Sequence, residues 1–207
     1  MGAGVKVGEG SGDLALDRLV FFSDAVFAIA VTLLVLDIHV PDLPRVVSNA
    51  DAWRAFRDET PSYFAFALSF LVIGRFWMGH HERFRALRHF DPRLMWPNML
   101  YLMAIAFMPF ATAFLGRNLG HFVPELVYNV SMLVVSLLAY WLARAVWRAG
   151  EPDAPLADGL DMVLAALVCI GLTFVVPILS QWGMFTALLW TRLEKRLYSR
   201  RGPGAEG

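Results

Sequence analysis

Charge is scarce in this sequence. Only 17% of its 207 residues are charged, against about 25% in soluble domains. What charge there is cancels: 18 Lys and Arg balance 18 Asp and Glu. A net charge of zero gives no electrostatic footprint for nucleic acid. Cysteine is reduced to Cys169, so no intramolecular disulfide exists, and a lone thiol in an apolar run does not make a metal site. There is no Gly-rich phosphate loop, no zincin histidine pair and no Gly-x-Ser-x-Gly elbow, so no familiar catalytic motif marks an enzyme. His80-His81-Glu82 does not replace them, because adjacent helical residues point about 100° apart and no His-x-x-x-His accompanies them. No metal or cofactor is expected. Met1–Gly12 lacks the apolar core of a signal peptide. Residues 1–17 and 199–207 are expected to be mobile tails.

Apolar residues are what the sequence has in excess, at 57%, with a mean hydropathy of +0.53. They fall in six segments, near residues 19–38, 62–81, 94–115, 123–146, 160–177 and 179–194. The expectation is an all-α polytopic membrane protein with six spans within residues 18–198. Thr60-Pro61 and Asp91-Pro92 each read as a capping side chain before a proline at the first helical position, and Pro124 as a similar start. Pro177 separates spans five and six. The shortness of the last segment leaves open a kinked fifth helix with a peripheral sixth. Within the long loop after span one, Ser48–Glu59 reads as a short amphipathic helix presenting Trp53 and Phe56, either at the membrane surface or in solvent. Trp96, Trp141, Trp147, Trp182 and Trp190 lie mostly near span ends, as interface anchors do.

The basic residues fix an orientation. With six spans, one side collects Lys6, Arg18, Arg83, Arg85, Arg88, Arg93, Arg144, Arg148, Arg192, Lys195, Arg196, Arg200 and Arg201. The other side holds Arg45, Arg54, Arg57 and Arg117, and Arg75 lies within span two. The positive-inside rule then places both ends in the cytoplasm of a cell membrane.

The first span carries the most information. A run from Arg18 to Asp37 is long enough to cross a bilayer, for which about 20 residues are needed. It nevertheless contains Asp24 about one turn into the membrane, where an unpaired charge costs several kcal/mol. Ile29, Leu33 and Leu36 follow at i, i+4 and i+7, on one face. The motif Arg18-x-x-x-Phe22-Ser23-Asp24, and the continuation through Val31 to Asp37, resemble the first-helix signature of the transmembrane protein 175 family, which includes endosomal and lysosomal potassium channels and bacterial relatives. The six-segment pattern extends that resemblance over most of the chain.

The resemblance implies a pore-lining first helix, with Ile29, Leu33 and Leu36 forming the narrow part of the path. Copies of a branched side chain around an axis leave a gap too small for a hydrated ion, and such a ring gates by dewetting or partial dehydration. The implied assembly is a homotetramer in lipid, conducting K+ passively, with no soluble substrate. Without a Thr-Val-Gly-Tyr-Gly filter, selectivity is expected to be modest. Thr32, a turn from Ile29, is either an ion-facing hydroxyl ring or back-bonded to the carbonyl of Ala28. Asp37, beside His39 at the outer helix end, is either a cation-concentrating acid at the pore mouth or a solvated helix-end acid. Arg18 sits six residues before Asp24, on a different face, so the partners of both lie on other helices. Span two offers Arg75, Trp77, His80 and His81 at matching depth, and span three offers Asn98. The resemblance implies an assembly network joining Arg18 and Asp24 to Trp77 and to His80 or His81. The rival readings are a proton pathway through Asp24 and His80/His81, and a non-conducting membrane scaffold or enzyme.

Overall fold

In the computed structural model, the described residues are 9–39, 48–87, 89–149 and 160–186. They form six α-helices: α1 Glu9–Leu33, α2 Asn49–Asp58, α3 Thr60–Arg85, α4 Met95–Arg117, α5 Phe122–Arg148 and α6 Leu160–Val175. Among the described residues there is no strand. Four helical stretches are long and apolar enough to cross a membrane: Leu14–Asp37, Thr60–Arg85, Pro92–Arg117 and Phe122–Arg148. They coincide with the first four segments read from the sequence. Helix α1 starts nine residues before Arg18, inside the stretch expected to be a mobile tail. Residues 1–8 and the tail 199–207 lie outside the described residues.

The loop helix α2 forms where its cap predicts. Ser48 is the N-cap, and its hydroxyl oxygen accepts from the Asp51 backbone N–H at 3.2 Å. Trp53 and Phe56 are exposed and meet edge to face at 5.7 Å, and Phe56 also reaches Tyr63 of α3 at 5.0 Å. Thr60 is not the cap expected of it. It is already helical, and its hydroxyl donates to the Arg57 carbonyl at 2.6 Å, closing the end of α2. Pro61 then sits in the first turn, where its missing N–H costs nothing. Asp91 does cap: its carboxylate accepts from the Arg93 N–H at 2.8 Å, opening a 3-10 turn at Pro92–Leu94 that leads into α4.

Helix α4 is the central post, contacting α1, α3 and α5. Tyr101, Ile105, Met108 and Leu115 of α4 and Tyr128, Met132, Val135 and Leu142 of α5 are fully buried. In lipid, helices gain little from hiding apolar surface, and close packing and interhelical hydrogen bonds hold them together. Small residues serve that packing: a Cβ placed on Gly116 of α4 would come within 3.1 Å of the Ser62 Cα of α3. Gly120 turns the chain from α4 to α5 with φ of +85°, a backbone state that suits glycine.

The fifth and sixth segments differ from a pair of straight spans. Helix α6 has 16 residues, about 24 Å of helix, short of a hydrocarbon core of about 30 Å. After Pro177 the chain winds as a 3-10 helix, Pro177–Phe185, which packs back against α6. Gly183 permits that approach: an added Cβ there would lie 2.9 Å from the Cys169 sulfur. The remainder of the expected sixth span, including Trp190, lies outside the described residues.

Candidate functional site on the first helix

The two faces of α1 are both apolar but have different fates. Phe27, Ala30 and Leu34 are buried against the bundle, whereas Ile29, Leu33 and Leu36 are 58%, 42% and 75% exposed on the single chain. All three expected stripe residues therefore share one uncovered face. From Leu34 to Asp37 the helix tightens to 3-10 winding, in which residues i and i+3 eclipse. Leu36 is thereby stacked in line with Leu33, and Asp37 is turned to the buried Leu34 side. Asp37 is half-buried and borders a small cavity with Leu34, Ser62, Phe66, Thr112 and Gly116. It also reaches the rim of a second cleft, with Leu33, Leu36 and Arg117. Thr32 is exposed beside the stripe, and its hydroxyl donates to the Ile29 carbonyl at 2.9 Å, one residue nearer than the Ala28 carbonyl. His39 is exposed at the helix end.

The expected polar network divides into two parts. On the surface, the Trp77 indole N–H donates to the Asp24 carboxylate at 2.9 Å, and His81 lies 5.6 Å from the Trp77 ring. Inside, Ser23, Asn98 and His80 form a chain with all three residues fully buried. Asn98 donates through Nδ2 to the Ser23 hydroxyl at 3.0 Å, and Ser23 donates onward to the Leu19 carbonyl at 2.8 Å. The Asn98 Oδ1 is then the acceptor facing His80 Nε2 at 2.8 Å, which assigns that nitrogen the proton. The His80 ring is clamped by Phe84 at 4.3 Å and Tyr101 at 5.9 Å. His80, not His81, is the buried histidine. Arg18 and Phe22 are exposed and belong to neither part. This geometry joins α1, α3 and α4 within one chain.

Other polar groups in the spans also find partners. Arg75 meets the buried Asp161 of α6 at 3.4 Å. Glu125 of α5 is fully buried, and its carboxylate accepts from Ser180 at 2.7 Å, from Gln181 at 2.6 Å and from the Gly120 N–H at 3.1 Å. Asn129, one turn on, donates to Thr173 at 2.9 Å. Tyr128, Ser69 and Thr112 link α5, α3 and α4 at 3.0 and 2.8 Å. Arg75 was expected near Asp24, whereas Glu125, Tyr128 and Asn129 were not foreseen. Their signal was a polar row at i, i+3 and i+4, Glu125-Tyr128-Asn129, within an otherwise apolar span. Among the described residues no cluster of His, Cys, Asp or Glu is arranged to hold a metal.

Comparison with known proteins places this geometry in a family. Residues 18–109 match the family model described as endosomal/lysosomal potassium channel TMEM175. A potassium channel of Streptomyces collinus is 38% identical over 172 residues, covering 76% of this chain and 82% of its own. The crystal structure of a lysosomal potassium-selective channel TMEM175 homologue from Chamaesiphon minutus superimposes with a TM-score of 0.75 at 33% identity, covering 87% of this chain and 97% of that one. An endosomal/lysosomal proton channel, TMEM175 of Gallus gallus, is 38% identical over 46% of this chain and 19% of its own length. The match to the Arg18–Asp24 signature, to most of a bacterial relative and to a solved homologue makes this chain a membrane protein of the TMEM175 family of cation channels, a class that is not enzymatic.

Proposed function

We propose that the protein is a potassium-selective channel of modest selectivity, assembled as a homotetramer with α1 lining a central path. The observation that carries this reading is the uncovered branched stripe. Ile29, Leu33 and Leu36 stand in line on the face of α1 that the bundle leaves bare. A face that is apolar, aligned and separate from the packing face suits a ring around an axis. Four copies of this face form three rings that exclude a hydrated ion, and K+ sheds water more readily than Na+, so a partly dehydrating constriction favours K+. Thr32 contributes a hydroxyl ring beside the constriction. Asp37, turned behind Leu36, adds its charge at the outer mouth without lining the narrow part. Ser23, Asn98 and His80 hold α1 at a fixed angle to α3 and α4, and Asp24 with Trp77 pins its cytoplasmic half. Arg18, Phe22 and His81, left on the chain surface, are available for contacts between copies. The channel sits in the cell membrane with both termini cytoplasmic, on the strength of the arginine asymmetry.

A second reading, proton conduction, is favoured by the vertebrate relatives named as proton channels. Against it, Asp24 and Asp37 are thirteen residues apart on α1, about 20 Å, and Thr32 is the one polar side chain between them.

The stripe is tested by substitution. Ile29→Asn and Leu33→Asn should wet the constriction, raising K+ flux in proteoliposomes and weakening discrimination against Na+. Wild-type rate and selectivity in both variants would place the constriction elsewhere.

A further inference from the structure

Helix α2 has ten residues, and none of them is buried. Among the described elements it touches only α3. A helix shorter than about 12–15 residues is marginal in water, and packing of an apolar face normally sustains it. Among the described residues, nothing supplies that packing. The large apolar side chains of α2 nevertheless lie together. With Trp53 as reference, Asn49 and Phe56 stand about 40° and 60° to one hand and Arg57 about 40° to the other, at 100° per residue. Arg54, Asp58 and Asp51 stand about 100–160° away. Trp53 and Phe56 are 63% and 53% exposed.

We propose that α2 is seated in the bilayer surface at the Thr60 end of α3, with Trp53 and Phe56 sunk among the lipid headgroups and upper acyl chains. Its level follows from α3. That helix has 26 residues, about 39 Å of helix, longer than a hydrocarbon core of about 30 Å. Its first turn, with Tyr63, therefore reaches the headgroup region, where Tyr and Trp concentrate. Glu59 alone separates α2 from α3, so α2 leaves at that same level. Its direction of burial follows from the rings. Trp53 meets Phe56 at 5.7 Å, and Phe56 meets Tyr63 at 5.0 Å. Tyr63, Phe66 and Phe70 recur at i, i+3 and i+7 on one face of α3, with Phe66 and Phe70 at 6.1 Å and Phe70 46% exposed. The aromatic face of α2 is thus continuous with the exposed side of a membrane-crossing helix, and both meet the same medium. An amphipathic helix so placed buries its apolar face in the interface. Arg57, at the edge of that face, can lay its stem beside Trp53 and extend its guanidinium to lipid phosphate. The charges of α2 cancel, two Asp against two Arg, and Arg54 already pairs with Asp51 at 2.7 Å. The partner is the bilayer interface itself, entered by ring partition and not by attraction to anionic lipid.

Spin labels test the seating. In a Cys169→Ala background, Asn49→Cys is labelled with a nitroxide in the full chain and reconstituted in phosphatidylcholine vesicles. This reporter shares the aromatic face and leaves both rings in place. Phe56→Cys is a second reporter on that face, in case the first misfolds, and Arg54→Cys reports the opposite face. Oxygen, which concentrates in lipid, should relax the labels at the Asn49 and Phe56 sites more than a water-soluble nickel chelate does, with the reverse at the Arg54 site. Adding Trp53→Ser and Phe56→Ser together should invert the preference at the Asn49 site, and adding phosphatidylglycerol should leave it unchanged. A nickel preference at the Asn49 and Phe56 sites equal to that at the Arg54 site would put α2 in solvent and overturn the proposal. Poor access of both reagents would put protein over that face and overturn it as well. An Asn49 label that stays in lipid after both rings are removed, or enters it only with phosphatidylglycerol, would refute the rings as the anchor.

Discussion

Asn98 is the residue whose removal should be felt most at the root of α1. It is fully buried and holds two hydrogen bonds, from His80 Nε2 at 2.8 Å and to Ser23 at 3.0 Å. Asn98→Leu keeps the volume and removes both. Ser23 loses a donor but still donates to the Leu19 carbonyl, so its loss is small. His80 is left with a buried N–H and no acceptor, and its Nδ1 already lacks a partner among the described residues. An interhelical hydrogen bond in a membrane is worth about 0.6 kcal/mol on average and about 1.7 at most, and an orphaned buried donor costs about 1–3 kcal/mol. The sum is about 2–5 kcal/mol, or about 4–20 °C in the melting temperature of a chain this size. Asp24→Asn should cost clearly less, because that residue is only half-buried and the amide oxygen still accepts from Trp77. His81→Leu, at an exposed position, should cost least. Thermal unfolding of the detergent-solubilised protein, followed by size exclusion, gives the ranking. An Asn98→Leu melting temperature equal to that of His81→Leu would refute the Ser23-Asn98-His80 chain as the clamp on α1.

Two further outcomes follow from the packing. Arg75 and Asp161 are unequally buried, at 34% and 2% exposure of their side chains. Arg75→Ala, which strands the buried carboxylate, should therefore destabilise more than Asp161→Ala, by about 3–5 kcal/mol at the upper end; chemical unfolding of the two variants checks the order. Gly183→Ala should destabilise by about 1–3 kcal/mol through overpacking against Cys169, and adding Cys169→Ala should recover part of the loss in the same assay.

Four of the six expected spans, and the shared exposed face of Ile29, Leu33 and Leu36, were legible because a lipid-facing or packed helix must be apolar over its whole length, and the i, i+4, i+7 spacing survives without tertiary information. The choice between His80 and His81 was not made from the sequence. A usable signal existed: Phe76, His80 and Phe84 recur at intervals of four, a row of rings on one face, whereas His81 shares a face with Trp77. Four residues after Leu33, Asp37 was read either as facing the pore mouth or as a solvated helix-end acid, on a count of 100° per residue. The last turn winds at about 120° instead, and the acid moves to the packed side. Nothing in the run Leu34–Asp37 announces that change, since α4 and α3 contact it from positions distant in the chain. Thr60 was misread as a cap because its role is to close the preceding helix, and a threonine before proline serves either end. The sixth segment was apolar enough to suggest a span, but Pro177 and the close approach at Gly183 fold its first part back on α6.

Which ion carries the current decides between the potassium and the proton readings. With the purified full chain in proteoliposomes, opposed K+ and proton gradients give a reversal potential of opposite sign for each carrier. The channel reading predicts a potential that follows the K+ gradient and shifts only modestly toward Na+ when that ion is substituted. A potential that tracks the proton gradient and ignores K+ would contradict it.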